Sequence, residues 1–578
     1  MTIKQLFSNE VQPDLTPFLE HTQPKTAHDM DVLSIQPRIR DAISLLCPKH
    51  RKPYHPRFML LKAPESPLLC KLLQSTIHNL LPKNETGYAY FFSGDKITLN
   101  VAHSQQANFS ATDNCLYALN VNNESLFGCV RQPEDDNLKL ESGLVHDANG
   151  GILILGLRTL LSQPAIWNRF KNVVINQEFR WFSSDDASPL PLKIPPLPLD
   201  LRVILVGDRI SLSELQEYDP EFYDSALYTE FENELSLKNA EDMRKWEDYL
   251  HYLAGFQGLP KIDSSAIPEL VKEGIKLTED QFFLPLSPDW ISNQLTNATQ
   301  ISEDKIDINA IKKAITQKAW RESYLQERFR EGIFNNQVLI HTQGQIVGQI
   351  NGLSVIEYPG YPRNIGEPTR ISCLIHYGDG ELMDVERKTE LAGNIHSKGM
   401  MIMQAFISAE FAITQQLPFS ASLVFEQSYS EVDGDSASLA GLCVLISALS
   451  GQPIDQQVAV TGSVDQFGQV QAIGGVNEKI EGFFAVCKHQ GLTGQQGVVI
   501  PAANQRNLCL SDEITEAINN EQFFIWTVNH VSDALYLLTG LPYKDESVIS
   551  LYKLIQGRIH SLMNQERRSV PWFRKWRK

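Results

Sequence analysis

Residues 426–441 read EQSYSEVDGDSASLAG and carry the most informative pattern in the chain. Apolar residues follow this stretch at helical spacing, at Leu439, Leu442, Cys443 and Ile446. The spacing predicts a buried helix that starts at about Ser436, directly after a turn that contains Gly434.

A serine at the start of a helix has two common uses, and the local pattern leaves both open. The Ser436 hydroxyl could cap the helix by accepting a backbone N–H bond. Alternatively, Ser436 could be a nucleophile, because the free N–H groups and the positive end of the helix dipole would face a developing oxyanion.

A second stretch, GGVNEK at residues 474–479, opens another helix. Its apolar positions recur at helical spacing, at Ile480, Phe483, Phe484 and Cys487. Lys479 therefore falls in the first turn, where a cation is disfavoured by the helix dipole. It is either a solvated surface lysine or a base whose pKa is lowered by burial. A serine hydroxyl needs such a base, and a Ser–Lys pair is an established variant of the catalytic triad.

The order of these motifs resembles the Lon peptidase family. GDSAS at residues 434–438, followed by GGVNEK, is closer to the B-type branch than to the A-type branch. Further segments resemble B-type peptidases in the same order: Gln349–Leu353, Glu386–Arg387, Gly393–Gly399 and Phe425–Tyr429. The resemblance extends over about two hundred residues, and several ordered motifs make it far more specific than either motif alone.

The resemblance implies roles for individual residues. Ser436 would be the nucleophile and Lys479 the general base. Thr461 matches a threonine that hydrogen-bonds the lysine in the family. Asp433 and Asp435 match acidic positions that flank the serine, and Asp433 replaces the usual glutamate.

Lon enzymes normally carry an AAA+ motor before the peptidase, and parts of that module are recognisable. Segments that resemble it are Ile35–Ile43, His146–Leu153, Asp219–Phe222 and Gly258–Pro260. Continuous apolar runs at Phe58–Leu61, Gly151–Leu155 and Val203–Gly207 predict strands buried on both faces of a parallel sheet.

The nucleotide chemistry of this module is expected to be lost. A phosphate loop reads G-x-x-x-x-G-K-[ST], whereas residues 63–72 read APESPLLCKL, so only Lys71 remains. The glycines whose N–H groups would cradle phosphates are absent, and prolines in the segment remove further donors. Gly156-Leu157 replaces the acidic pair that would anchor magnesium. We therefore expect no cofactor and no metal, ATP and Mg²⁺ included.

Composition excludes several other classes of protein. The net charge of −18 argues against a binder of duplex nucleic acid, which needs a basic face. The eight cysteines form no CxxC pair, which indicates reduced thiols rather than disulfides or a zinc site. Neither a signal peptide nor an apolar run long enough for a membrane span is visible, so we expect a cytoplasmic protein.

The chain is thus expected to be multidomain, α/β followed by α+β. Four units are predicted: a degenerate AAA+-like α/β domain with a parallel sheet (1–230), a helical lid-like segment (231–331), a Lon-type α+β peptidase domain (332–542), and a C-terminal helix with a basic aromatic tail (543–578). The tail is either a mobile solubilising segment or an element that docks a partner, an anionic membrane surface or nucleic acid.

The expected function is a serine endopeptidase that cleaves unfolded or flexible proteins without ATP hydrolysis. By resemblance it would form a homo-oligomeric ring, with a hexamer as the expected size, and an adaptor could deliver substrates. Two alternatives stay open: an ATP-dependent Lon-like protease with a divergent nucleotide site, and a non-proteolytic adaptor or chaperone on a Lon scaffold.

Overall fold

The computed structural model describes most of the chain as a succession of two sheet-containing units joined by helices. The described residues are 3–19, 30–48, 50, 52, 54–81, 86–94, 96–103, 109, 111, 113–131, 138–183, 190, 192–376, 382–411, 419–428 and 433–569, with the backbone alone at 19, 86, 103 and 562–569. Residues 570–578, most of the basic aromatic tail, lie outside them. Within these ranges, no helix combines the length and the apolar run needed to cross a bilayer.

The first unit is built on a five-stranded, wholly parallel sheet. In spatial order its strands are Leu227–Glu230, Phe58–Lys62, Arg202–Gly207, Ile152–Gly156 and Cys115–Ala118. The three apolar runs read from the sequence are its central strands, and their side chains are buried on both faces, as in other parallel sheets. The predicted AAA-like sheet is therefore confirmed.

Helices and short strand pairs surround this sheet. The α-helices are Pro37–Leu46, Pro67–His78, Asn123–Phe127, Leu144–Asp147, Leu157–Leu161, Pro164–Asn176, Arg209–Tyr218 and Pro220–Ser225, with a 3₁₀ turn at Val32–Ile35. Of the elements before them, the 3₁₀ turn Ser8–Glu10 contacts the helix Asp512–Asn519, and the helix Thr16–Leu19 contacts the helix Ala240–Phe256. The antiparallel pairs are Thr86–Ser93 with Lys96–His103, Cys129–Arg131 with Lys139–Glu141, and Glu178–Phe179 with Leu197–Pro198.

A helical unit follows, here called the lid. Its α-helices are Ala240–Phe256, Ile267–Thr278, Pro288–Thr299, Ile308–Glu322 and Tyr324–Phe334, with a 3₁₀ turn at Ser264–Ala266. Two short strand pairs tie them together: Glu234–Ser236 with Phe283–Pro285, and Lys261–Ile262 with Lys305–Ile306. Met59 and Leu61 of the parallel sheet share one apolar cluster with Trp246 and Leu250, so the lid and the sheet are packed on a common core.

The peptidase unit is built on an eight-stranded mixed sheet. In spatial order its strands are Lys4–Gln5, Phe523–Val528, Gln496–Pro501, Val458–Val460, Gln349–Ile356, Ile365–His376, Ser420–Phe425 and Leu382–Asp384. Short strand pairs outside this sheet are Gln345–Ile346 with Ile454–Asp455 and Ser463–Val464 with Val470–Gln471. The α+β character expected of this part is confirmed.

Two helices of the peptidase unit carry the candidate site: the serine helix, Ser438–Ser450, and the lysine helix, Val476–Gln490. The remaining helices of the unit are Val385–Lys388, Asn394–Glu410, the 3₁₀ helix Ala502–Asn507, Asp512–Asn519, Val531–Thr539 and Leu551–Ser569.

The serine helix and the lysine helix lie on opposite faces of the large sheet. Val460 belongs to the apolar cluster of the serine helix, whereas its neighbour Ala459 belongs to the cluster of the lysine helix. Successive residues of a strand point to opposite faces, so the two clusters are the two sides of one sheet. The lysine helix approaches the sheet closely, since a Cβ on Gly366 would lie 1.9 Å from the carbonyl oxygen of Glu478.

The N-terminal residues differ from the expectation that places 1–230 in the AAA-like domain. Lys4–Gln5 pairs antiparallel with Trp526 and Thr527 at the edge of the peptidase sheet. Leu6 and Val11 are fully buried in the apolar cluster that also contains the lysine helix. The segment is too short to show a periodic pattern, and its partner strand lies at the other end of the sequence, so no local signal indicates the pairing.

Replacing Leu6 tests whether this strand belongs to the peptidase core. Leu6→Ala should lower the free energy of unfolding of the peptidase unit by about 3 kcal/mol, because it leaves a cavity at a fully buried site. The measurement is urea unfolding followed by fluorescence. Phe7→Ala is the matched control, since Phe7 is 66% exposed. Equal effects of the two changes would contradict the placement.

Candidate active site

The structure brings Ser436 and Lys479 together. Lys479 Nζ donates to Ser436 Oγ across 2.9 Å, although the lysine helix and the serine helix, which starts two residues after Ser436, cover opposite faces of the sheet. They meet just beyond the carboxyl end of the strand Val458–Val460, which lies between those helices.

The serine is held by its backbone. The carbonyl oxygen of Ser436 accepts the N–H of Gly462 at 2.8 Å, and the N–H of Leu439 donates to the carbonyl of Gly462 at 3.1 Å. The serine helix begins at Ser438, two residues later than the sequence indicates, and its N-cap is Ala437, which makes no side-chain cap. The Ser436 hydroxyl is therefore turned to Lys479 rather than used as a helix cap.

Thr461 supports the serine and not the lysine. Its side chain is fully buried, and its hydroxyl donates to the carbonyl oxygen of Ser436 at 3.4 Å. Among the hydrogen bonds of the described residues, the one to Lys479 that the family resemblance implies is not formed. Thr461 thus holds the backbone of Ser436 at the end of the strand Val458–Val460.

Asp433 connects the turn before the serine to a neighbouring helix. Its Oδ1 accepts hydrogen bonds from the backbone N–H groups of Ile395 at 3.1 Å and His396 at 3.4 Å. Both N–H groups belong to the first turn of the helix Asn394–Glu410, where the helix itself provides no acceptor. Oδ1 also accepts the N–H of Gly434 at 2.9 Å. The carboxylate therefore acts as a helix cap supplied from outside the helix, and it anchors the serine turn.

The lysine helix begins at a glycine that the geometry requires. Gly475, its N-cap, has φ of +63°, and a Cβ at this position would lie 2.7 Å from Val355. The N–H of Lys479 donates to the carbonyl of Gly475 at 3.1 Å, so the lysine closes the first helical turn, as its position in the sequence indicates.

Burial sets the charge of the lysine. Only 3% of Lys479 is exposed, and this desolvation lowers its pKa to about 8, although Asp435 and Glu478 favour the charged form. Asp435 itself accepts a hydrogen bond from the Ser463 hydroxyl at 2.9 Å. A lysine with this pKa is neutral in an appreciable fraction of molecules near neutral pH, and a neutral amine can take the serine proton.

A small pocket opens beside the serine turn. Its apolar walls are Met400, Met403, Leu423 and Phe425. His396 also lines it and lies 3.1 Å from Asp384, with both side chains nearly fully buried. Despite burial, the His396 ring lowers the pKa of Asp384, whereas burial raises the pKa of neighbouring Glu386. Sequence reasoning missed Asp384 because nothing in its spacing relates it to Ser436.

In the segment that stands at the position of a phosphate loop, the side chains of Glu65 and Ser66 are hydrogen-bonded to other groups of the protein. Ser66 Oγ accepts the N–H of Leu69 at 3.2 Å and donates to Asp289 of the lid at 2.7 Å. Glu65 accepts the N–H of Arg158 at 3.0 Å and lies against Gly156, where a Cβ would be 2.7 Å from its carboxylate. A carboxylate and a capped helix start do not fit a triphosphate, which needs free N–H donors and positive charge.

Lys71 does not compensate for this loss. Its Nζ lies 5.6 Å from the centre of the Phe256 ring, at the end of a lid helix. For metals, Glu124, Cys129 and Glu141 form the grouping that the described residues offer. Arg131 forms ion pairs with both carboxylates of that grouping, and Lys139 forms one with Glu141, so the two negative charges are already balanced by two cations.

Comparisons with known proteins agree with this architecture. Two family profiles match the chain, "LonB-like, AAA domain" over residues 113–226 and "Lon protease (S16) C-terminal proteolytic domain" over residues 427–539. The fold and the site thus define a protein with an AAA-type domain followed by a Lon-type proteolytic domain.

Similarity to complete proteins identifies the family. A provisionally assigned Lon protease homologue of Escherichia coli (strain K12) is 46% identical over 100% of this chain and 99% of its own length. A counterpart in Haemophilus influenzae is 44% identical over 83% of this chain and 81% of its own length. An archaeal Lon protease of Archaeoglobus fulgidus is 22% identical over 72% of this chain. The chain belongs to the Lon protease family.

The reactivity of Ser436 should follow the protonation of Lys479. Because the neutral amine is the form that accepts a proton, acylation of Ser436 by a fluorophosphonate should accelerate as the pH rises through about 8 and then level off. The measurement is the rate of labelling from pH 6 to 10. In Lys479→Ala the plateau should disappear, and a flat profile in the unmodified protein would contradict a lysine base.

Proposed function

We propose that the protein is a serine-type endopeptidase in which Ser436 is the nucleophile and Lys479 the general base. The observation that carries this proposal is the 2.9 Å contact between the serine hydroxyl and a lysine that is almost fully buried. A surface lysine would remain protonated at neutral pH, whereas desolvation of this amine allows it to act as a base.

The chemistry follows from these two groups. Neutral Lys479 removes the proton from Ser436 Oγ as the oxygen bonds to the carbonyl carbon of a peptide. The tetrahedral oxyanion is stabilised by the dipole of the serine helix, whose first N–H groups, those of Ser438 and Leu439, already donate to the carbonyl oxygens of Asp435 and Gly462. When the C–N bond breaks, protonated Lys479 returns the proton to the departing amine, leaving an acyl-enzyme. Lys479 then deprotonates a water that hydrolyses the ester and restores Ser436.

Substrates are proposed to be unfolded or flexible protein segments. An extended segment can reach a serine that lies at the end of a sheet strand between two packed helices, and no nucleotide-driven unfolding is invoked. By similarity to the family, we also propose a homo-oligomeric ring, with a hexamer as the expected size, and a cytoplasmic location. An adaptor that delivers substrate is compatible with the same chemistry.

Independence from ATP is the second part of the proposal. It is supported by the contacts of Glu65 with Arg158 and of Ser66 with Asp289, which use the groups that would otherwise face a phosphate. The bond from Ser66 to Asp289 also joins the parallel-sheet unit to the lid directly. Side chains hold the lid against the sheet in this protein, whereas a bound nucleotide would do so in an ATP-driven motor.

Hydrolysis of fluorescent casein by the purified protein tests the enzyme assignment. Activity should be unchanged by Mg-ATP and should fall by at least about 10³-fold in Ser436→Ala and in Lys479→Ala. Lys71→Ala is the matched control on the AAA-like domain and should hydrolyse casein normally. Activity that requires ATP would favour a divergent nucleotide site, and absence of hydrolysis under all conditions would favour an adaptor.

Calorimetric titration with Mg-ATP tests the silent nucleotide site separately. We expect no saturable binding below about 1 mM, because the donors that would hold the phosphates are already satisfied. Titration of an active AAA+ protein under the same buffer conditions provides the positive control. A micromolar affinity would contradict this part of the proposal without affecting the serine and lysine.

A further inference from the structure

The turn that leads into the lysine helix consists of two glycines and so has no side chains that could hold it. Gly474 has open space where a side chain would be, and Gly475 adopts the left-handed conformation. Two consecutive glycines leave a backbone flexible unless other groups hold it. Yet Lys479, on a long side chain one helical turn later, must keep Nζ within 2.9 Å of Ser436. The position of this helix start must therefore be set from outside.

Asn504 is hydrogen-bonded to the backbone just before the two glycines. Its side chain is 2% exposed and bonds both polar groups of one backbone residue, Ile473. The Ile473 N–H donates to Asn504 Oδ1 at 2.9 Å, and Asn504 Nδ2 donates to the Ile473 carbonyl at 2.7 Å. An amide that both donates and accepts in this way fixes the backbone in position and orientation.

Asn477 makes a similar pair of hydrogen bonds in the opposite direction, from the lysine helix to the segment that follows Asn504. It lies in the first turn of the lysine helix, two residues before Lys479, and is 8% exposed. Its Nδ2 donates to the carbonyl of Asn507 at 2.8 Å, and its Oδ1 accepts the N–H of Cys509 at 2.8 Å. The segment 504–509 and the start of the lysine helix are thus joined by two reciprocal amide pairs.

The lid holds the opposite side of that segment. Asn507 Nδ2 donates to the carbonyl of Glu279 at 2.7 Å, and the N–H of Gln281 donates to the carbonyl of Arg506 at 2.9 Å. An ion pair between Arg506 and Asp280 at 2.6 Å adds a charged contact. The turn Glu279–Gln281, which follows the lid helix Ile267–Thr278, therefore braces the segment that carries both asparagine contacts.

We propose that Asn477 and Asn504 are positioning residues for Lys479, and that the lid turn Glu279–Gln281 braces them through segment 504–509. This inference rests on the proposed peptidase function. It gives the lid a role in the chemistry of the site that requires no nucleotide: it keeps the start of the lysine helix in place.

Loss of the hydrogen bonds made by either Asn477 or Asn504 has two expected consequences. Nζ would move away from Ser436 Oγ, which slows proton transfer, since displacements of about 1 Å can cost up to about 10²-fold in rate. Water would also reach the amine more easily, so the pKa of Lys479 would rise from about 8 toward its ordinary value. The charged groups that act on this amine, Asp435 and Glu478, are present in both variants.

The experiment compares Asn504→Ala and Asn477→Ala with Gln505→Ala in the full-length protein. Gln505 lies on the same 3₁₀ helix as Asn504, but its side chain contacts Glu10 of the N-terminal segment at 3.4 Å. Casein hydrolysis should show kcat lowered about tenfold in both asparagine variants, with KM within about twofold of the unmodified protein. The acid limb of fluorophosphonate labelling should move up by about half a pH unit or more. Gln505→Ala should change neither quantity.

The outcomes separate this inference from the proposed function. If the unmodified protein hydrolyses casein and both asparagine variants match Gln505→Ala in kcat and in the pH profile, the positioning role is wrong and the peptidase assignment stands. If the unmodified protein is inactive in all conditions, the peptidase assignment fails first. If circular dichroism shows that an alanine variant is not folded, Asn507→Ala replaces it. An unshifted pH profile in Asn507→Ala would overturn the bracing by the lid.

Discussion

The withdrawal of one ammonium group from water is the constraint on which the peptidase unit depends. A lysine that is 3% exposed loses most of its hydration, and this loss lowers its pKa to about 8. The environment that disfavours the charged amine also keeps it near a single hydroxyl. Burial therefore serves two purposes at once: it generates the base and it limits where the base can point.

The two reacting groups are supported independently. The serine is held by the carbonyl contacts of Thr461 and Gly462 and, through Asp433, by the helix Asn394–Glu410. The lysine depends on Gly475 and on the close seating of its helix against Gly366. Because the two helices cover opposite faces of one sheet, the sheet fixes their separation. A displacement of the groups that hold Ser436 therefore need not displace those that hold Lys479. This suits two side chains that must stay within hydrogen-bond distance.

The sequence was sufficient for the features that depend on local spacing. Apolar periodicity located the serine and lysine helices, and continuous apolar runs located the central strands of the parallel sheet. The serine helix starts two residues later than its spacing indicates because the carbonyl oxygen of Ser436 accepts bonds from Thr461 and Gly462, which no local pattern encodes. Asp384, Asn504 and the strand Lys4–Gln5 were not found for the same reason. Each acts on a partner that is distant in sequence, and only the folded chain brings the two together.

The edge strand Lys4–Gln5 has a consequence for how the protein is made. Its partner residues, Trp526 and Thr527, are synthesised more than five hundred residues later. At roughly 5–20 residues per second, Leu6 and Val11 emerge from the ribosome on the order of a minute before the core that buries them exists. During that interval the AAA-like unit and the lid are synthesised and can fold, before the other seven strands of the peptidase sheet are translated. The strand Lys4–Gln5 is thus translated long before its partner strand, so a nascent chain carries no completed proteolytic domain until Phe523–Val528 has been synthesised.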